Sequence, residues 1–259
     1  MPRDCIILGS GRSGTSLAAG LLAGNGYFMG EELWQPNIGN PTGYFEDREI
    51  NEINEDMLAP FAPAEEQSGL LGRLRSSGYP LGHLQRWLSV LPPGTPMTCS
   101  AKVRRQMKAL AARHPFCFKD PRFCYTLPLW RPCLGDAAIL CVFRNPGVTA
   151  ASIMTECARA EYLKDVRMDL GRAFAVWEMM YRNVLEIHYP FGGEWLFVHY
   201  DQMLDGSAYE RIERMLDAKV ARNFAAADLR RSAAAGAVPR RALKIYRRLC
   251  DLAGYEAAD

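Results

Sequence analysis

Short, wholly apolar runs alternate along the chain with longer segments whose apolar residues recur at three- and four-residue spacing, and that alternation sets the expected elements. Cys5-Ile6-Ile7-Leu8 is apolar throughout and rich in β-branched side chains, as a strand covered on both faces must be. Three glycines follow, then Thr15-Ser16 and Leu17-Ala18-Ala19-Gly20-Leu21-Leu22, so the stretch predicts a strand, a tight loop and a helix over residues 14–25. Further strands are predicted at Phe116–Phe118, leading into Lys119-Asp120-Pro121-Arg122, at Ala138–Phe143, leading into Arg144-Asn145-Pro146, and at Trp195–Tyr200. Helical periodicity marks Glu46–Leu58, Met168–His188, Ser207–Leu216 and a basic amphipathic stretch over Arg240–Ala253. Asn145 as N-cap and Pro146 at the first helical position start another helix, running to about Ala160.

Strands alternating with helices predict an α/β fold, a three-layer arrangement around a central parallel sheet of about four to five strands. Residues 60–115 hold helical patterns broken by Gly78, Pro80 and Pro92-Pro93-Gly94, and are expected to form a helical insertion or lid. The segment Trp34–Asp47 is dense in Gly, Pro and Asn with three aromatics, the composition of an ordered functional loop. Ala221–Gly236 reads as an Ala-rich, charged tail. No repeat or linker divides the chain, so residues 1–259 are expected to form one domain.

Charge changes the picture only by exclusion. The 259 residues carry 31 Lys and Arg against 29 Asp and Glu, a net charge of +2, which makes no electrostatic case for nucleic acid as a partner. No apolar run approaches membrane-spanning length and none follows a charged leader, so no membrane span and a cytoplasmic location are expected. The eight cysteines are scattered through apolar segments without a C-x-x-C pair, the pattern of reduced core thiols and not of a zinc site or a disulfide framework.

The loop after the first strand is where chemistry concentrates. Glycines let backbone approach a ligand closely, and the following helix points its unpaired N–H groups and positive end at whatever anion sits there. Gly9, Gly11 and Gly14 match the dinucleotide pattern G-x-G-x-x-G, with Glu32 near the ribose position. Gly9 and Gly14 also have the separation of a phosphate-binding Walker loop, but Thr15 stands where its Lys belongs and the cation is Arg12, inside the loop. Arg144 closes one strand and Ser152 follows eight residues later, which turns a planar guanidinium and a hydroxyl to one side of a helix start. Two strands ending in basic residues, Lys119 and Arg144, converge beside the loop, since ligands of parallel sheets bind at the carboxyl ends of strands.

Arg12-Ser13-Gly14-Thr15-Ser16 after a buried strand resembles the 5′-phosphosulfate loop of sulfotransferases that use 3′-phosphoadenosine 5′-phosphosulfate (PAPS), and comes nearest the branch with Arg in that loop, as in bacterial and tyrosylprotein sulfotransferases. The Arg144 and Ser152 spacing is similar to that family's 3′-phosphate site, and Tyr200-Asp201 resembles its strand end whose Tyr contacts the adenine. The resemblance covers roughly residues 5–32, 116–152 and 195–205. It implies a P-loop nucleotide-kinase-like fold and in-line transfer of a sulfuryl group from PAPS, as co-substrate, to a hydroxyl in preference to an amine of a small-molecule, carbohydrate or natural-product acceptor, without a metal. Gly11, Arg12, Ser13, Gly14, Thr15, Ser16, Arg144, Ser152 and Tyr200 would hold the donor, and Arg12 and Lys119 would carry the charge of the reacting group. Pro121 occupies the position of the cytosolic enzymes' His base. The Arg branch uses a Glu in a Gly-Glu-Glu context, which Gly30-Glu31-Glu32 matches, making Glu32 the expected base with Glu31, Glu46 and Asp47 as the other candidates. A P-loop small-molecule kinase, with Asp120 holding Mg²⁺, and a non-catalytic nucleotide-binding protein are the alternatives. Trp34, Tyr44, Phe45 and Trp87 suggest an aromatic acceptor pocket. The basic residues Arg240, Lys244, Arg247 and Arg248 are expected on a solvated helix face.

Overall fold

The first strand, β1 (Cys5–Leu8), is buried at every position. In the computed structural model, which describes residues 1–36, 43–61, 81–224 and 236–257, it lies at the centre of a sheet with β2 (Cys117–Lys119) on one side and β3 (Ala138–Phe143) on the other, β4 (Trp195–His199) completing the order β2-β1-β3-β4. All three pairings are parallel. Ile7 is level with Lys119, Leu8 with Cys141, and Phe143 with His199, so the carboxyl ends of the strands finish along one edge. The chain leaves β1 toward β2 and then crosses to β3, which opens a crevice at that edge between β1 and β3.

Alternate side chains face opposite layers. Cys5, Ile7, Cys117, Leu140, Val142 and Val198 meet α1 (Thr15–Leu22), while Ile6, Leu8, Phe118, Ile139, Cys141 and Phe143 pack in the opposite core. That second core is covered by α2 (Arg48–Leu58), α3 (Ala101–Ala111), α4 (Phe123–Leu134), α5 (Pro146–Arg159) and α6 (Leu170–Arg182). The short α7 (Tyr200–Leu204) and α8 (Tyr209–Leu216) return to the first layer, and α9 (Arg240–Ala253) to the second. No helix of the described residues is long and apolar enough to cross a membrane.

Two departures from the sequence pattern have physical reasons. The helix α4 holds Pro128 and Pro132, each of which would cost about 3 kcal/mol in an exposed helix; burial of Phe123, Tyr125, Leu127, Trp130 and Leu134 outweighs that propensity. The expected single helix from Met168 to His188 is α6 continued by a π turn over Asn183–His188, with Asn183 Nδ2 donating to Leu91 O and Met179 O. The expected helical lobe is described only in part. Its residues 62–80 lie outside the described residues, and the rest is a 3₁₀ turn (Arg86–Leu88), extended chain and α3, whose Leu81, Trp87, Leu88, Met107 and Leu110 join the core that holds Ile6 and Phe118. Of the Ala221–Gly236 tail, residues 225–235 also lie outside the described residues. The amphipathic α9 buries Ala242, Tyr246, Leu249, Cys250 and Ala253 and exposes Arg240, Lys244, Arg247 and Arg248.

Within the π turn, His188 is buried and hydrogen-bonds Cys124 O at 2.8 Å, and burial pulls its pKa from 6.5 down to about 4. The unfolded chain takes up this proton as pH falls through about 6.5, and the native chain only near about 4. Stability from this residue is therefore complete above that window and falls within it, by about 3 kcal/mol in all. Denaturant titrations from pH 7 to pH 4 are expected to show a steeper loss in the wild type than in His188→Gln; parallel losses would refute the assignment.

Candidate active site

The loop from Gly9 to Gly14 is shaped by contacts that leave no room for side chains. A Cβ on Gly11 would lie 2.5 Å from the Trp87 ring, and one on Gly14, at φ 97°, would lie 2.4 Å from Tyr200 Cδ2. The Tyr181 hydroxyl fastens the loop to β3 by donating to Val142 O and accepting from Ser10 N, at 2.7 and 3.1 Å. Gly14 is the N-cap of α1 and offers no side chain to its first N–H groups, which stay available to an anion. An oxyanion ligand therefore fits this cradle. Arg12, inside it, adopts φ 70°, a left-handed conformation that costs a non-glycine residue of order 1 kcal/mol.

Beside the cradle, Lys119 ends β2 with its side chain almost wholly buried, donating to the Glu46 carboxylate and to Ser16 Oγ, the latter at 3.2 Å. Burial lowers the Lys119 pKa, and Glu46 opposes that shift. Glu46 reaches this place through Phe45, at φ 52°, a second non-glycine residue in the left-handed region. The next residue, Asp47, faces the other way: its carboxylate accepts from Ile50 N, capping α2, and from Glu32 N, both at 3.0 Å.

The structure does not bring Glu32 to Lys119. Its side chain is 67% exposed and paired with Arg48 at 2.8 Å, and Glu31 is likewise exposed and paired with Arg113. Of the expected acids, Glu46 is the one that pairs with Lys119; Asp47 is a structural cap.

The basic residues divide into two groups. Arg12 Nε donates to Ser152 Oγ at 3.2 Å and its Nη1 lies 3.4 Å from Glu156 Oε2, Ser152 and Glu156 being successive turns of α5. Arg144 lies over the Tyr200 ring at 4.2 Å. Ser152 thus meets Arg12, and Arg144 meets the aromatic ring. Asn145 caps α5 through its Oδ1, accepting from Gly147 N and Val148 N, with Pro146 at the first position.

Much of the support for this site was not marked by any motif. Asp120, fully buried, accepts from Asn51 Nδ2 and Asn54 Nδ2 at 2.8 and 2.9 Å and from Arg122 N and Nη1 at 2.8 and 3.0 Å. Glu55, equally buried, accepts from Arg122 Nε, Arg86 Nη1, Arg86 N and Leu84 N. Burial works against the Arg122 charge, but Asp120 and Glu55 outweigh it and raise its pKa. Both Asp120 oxygens are committed twice over, which leaves it bracing α2 against β2 rather than facing the loop. Among the described residues no group of three or more His, Cys, Asp and Glu side chains is arranged to hold a metal ion.

The aromatic residues sort in the same way. Trp34 donates to Asn51 Oδ1 under the Arg48 guanidinium, and Phe45 packs edge-on against Phe224. Trp87 instead covers the loop and hydrogen-bonds the Tyr162 hydroxyl, whose pKa burial raises, with Glu156, Tyr44 and Glu46 adding to the shift. Tyr162 stands in a polar stretch without a motif; the spatial neighbourhood alone reveals it.

The fold is a parallel α/β sheet with an arginine-bearing glycine loop at its switch point. The chain belongs to the sulfotransferase family, whose family model matches residues 4–220. Among solved structures it is similar to the sulfotransferase domain of the Synechococcus olefin synthase, with TM-score 0.54 and 14% identity over 99% of this chain and 96% of that one. It is also similar to a sulfotransferase domain from the curacin biosynthetic pathway, with TM-score 0.52 and 11% identity over 100% and 99%. These likenesses show the P-loop kinase-like fold. A search of curated proteins finds no match.

Proposed function

We propose that this chain transfers a sulfuryl group from PAPS to an acceptor hydroxyl, with Glu46 as general base. The observation that carries the reading is the Glu46 carboxylate on Lys119 Nζ, which also donates to Ser16 Oγ in the first turn of α1, while Glu32 pairs with Arg48 instead. When bound, the donor supplies the sulfuryl group and 3′-phosphoadenosine 5′-phosphate (PAP) as leaving group. Lys119, Arg12 and the loop N–H groups stabilise charge on the transferring and leaving oxygens; Glu46 takes the acceptor proton. Such fixed cations suit a transfer dominated by positioning and electrostatics. Arg144 and Tyr200 supply a guanidinium and an aromatic face for the 3′-phosphate and the adenine, with Ser152 beside Arg12 at the same edge. Tyr162, hydrogen-bonded to Trp87 and within electrostatic reach of Tyr44 and Glu46, favours a ring-bearing acceptor, such as a phenol.

Calorimetric titration of PAP against ADP, ATP and NAD, without added metal, tests the donor half. The wild type is expected to bind PAP at least tenfold tighter than the others, and Arg144→Ala to lose most of that preference. Preference for ATP would restore the kinase reading, and preference for NAD the dinucleotide reading. Release of PAP from PAPS across a panel of phenols and alcohols tests the transfer half, and no release would favour a binding protein without catalysis.

A further inference from the structure

Glu156 is a buried carboxylate that faces an anion site. It stands on α5 one turn beyond Ser152, 6% exposed, with Arg12 Nη1 3.4 Å from its Oε2. Taking a carboxylate out of water costs several kcal/mol unless it is paired, and here the partner is the loop's own cation. For anion binding alone the residue is a handicap, because it sets negative charge beside the place where an oxyanion must bind and neutralises the arginine meant to receive it. Its geometry suggests what offsets that handicap. Arg12 springs from a left-handed backbone position on a long, flexible side chain, and two contacts from successive turns of one helix, Ser152 on Nε and Glu156 on Nη1, fix the plane of its guanidinium.

We propose that Glu156 is a positioning residue for Arg12, one that lowers donor affinity in exchange for a guanidinium held in a single orientation. The inference rests on the donor reading above, and it assigns Glu156 no contact with the donor. Charge and geometry make separable demands. Glu156→Gln removes the charge but keeps the length and one acceptor oxygen. Glu156→Asp keeps the charge but withdraws it by one methylene, out of reach of the 3.4 Å contact.

The experiment measures PAP dissociation constants by calorimetry, and PAPS turnover with the best acceptor of the phenol panel, in wild type, Glu156→Gln, Glu156→Asp and each variant combined with Arg12→Ala. Glu156→Gln, which keeps the contact without the charge, is expected to bind PAP about three- to tenfold tighter than wild type with kcat within about threefold of wild type. Glu156→Asp, which keeps the charge without the contact, is expected to keep the wild-type dissociation constant within about twofold while kcat falls about tenfold. In the Arg12→Ala background neither substitution should lower kcat further, since interacting residues are not additive. A merely structural role would weaken binding and turnover together in proportion to lost stability, and that result overturns the proposal. Unchanged affinity and kcat in both variants overturn it as well. Wild type that fails to bind PAP would sink the donor reading and this inference together, whereas wild type that binds with Glu156 variants indistinguishable from it sinks this inference alone.

Discussion

Glu46→Gln is expected to lower the rate of sulfuryl transfer by about 10²- to 10⁴-fold and to leave PAP affinity within about threefold. The amide matches the carboxylate in size and can still accept from Lys119, so the site keeps its shape, but it cannot take the acceptor proton. Glu32→Gln is the contrast: that side chain is 67% exposed and paired with Arg48, and turnover should stay within about twofold of wild type. The substitution has a second, signed consequence. Burial already lowers the Lys119 pKa and Glu46 opposes it, so removing the carboxylate's charge lowers it further. Lys119 must be protonated to hold developing negative charge, and the alkaline fall in the residual activity of Glu46→Gln should therefore move to lower pH. Turnover lost in Glu32→Gln and retained in Glu46→Gln would return the base to the Gly-Glu-Glu segment.

The two acids illustrate what a one-dimensional reading reaches. The strand, glycine loop and helix from Cys5 to Leu22 are contiguous, and each step has a local cause: an unbroken apolar run, residues able to take positive φ, then helical spacing. Strand ends at Lys119 and Arg144 follow from the same logic, because an apolar run gives way there to charged residues. Choosing among Glu31, Glu32, Glu46 and Asp47 is a different problem. Neighbouring side chains on extended backbone point to opposite sides, so a shift of one residue in phase exchanges a buried carboxylate for a surface ion pair. Nothing in the Gly- and Pro-rich segment between Trp34 and Asp47 sets that phase locally. It is set across the sheet edge, by Asp47 capping α2, by the bridge between Leu33 and Asp47, and by the contact of Glu46 with a lysine 73 residues away. Glu156, whose only mark in the chain is its place on α5, escapes for the same reason. Its partner Arg12 lies in another element and its motif is a distance.

Asp120→Ala is expected to destabilise the fold by about 3–5 kcal/mol, the cost of breaking a buried charge pair from one side. The residue is fully buried, and its loss leaves Arg122, 3% exposed, with Glu55 as remaining carboxylate partner, and strips the acceptor from the side-chain amides of Asn51 and Asn54. An exposed pair such as Arg182 and Glu186 on one helical turn gives the scale for comparison: Glu186→Ala should cost no more than about 0.5 kcal/mol. Activity separates two roles for the network. Asp120 follows Lys119 in the chain and binds α2, the helix that Asp47 caps immediately after Glu46, so it fixes Lys119 and Glu46 against each other. At a temperature where Asp120→Ala is still folded by circular dichroism, turnover should fall more than tenfold with PAP affinity nearly kept, because the anion loop is fastened elsewhere, through Tyr181 and Trp87. A loss of stability below about 1 kcal/mol would mean that water replaces the missing carboxylate. A normal turnover in the folded variant would mean that the register of Glu46 and Lys119 is held by the cap and the sheet alone.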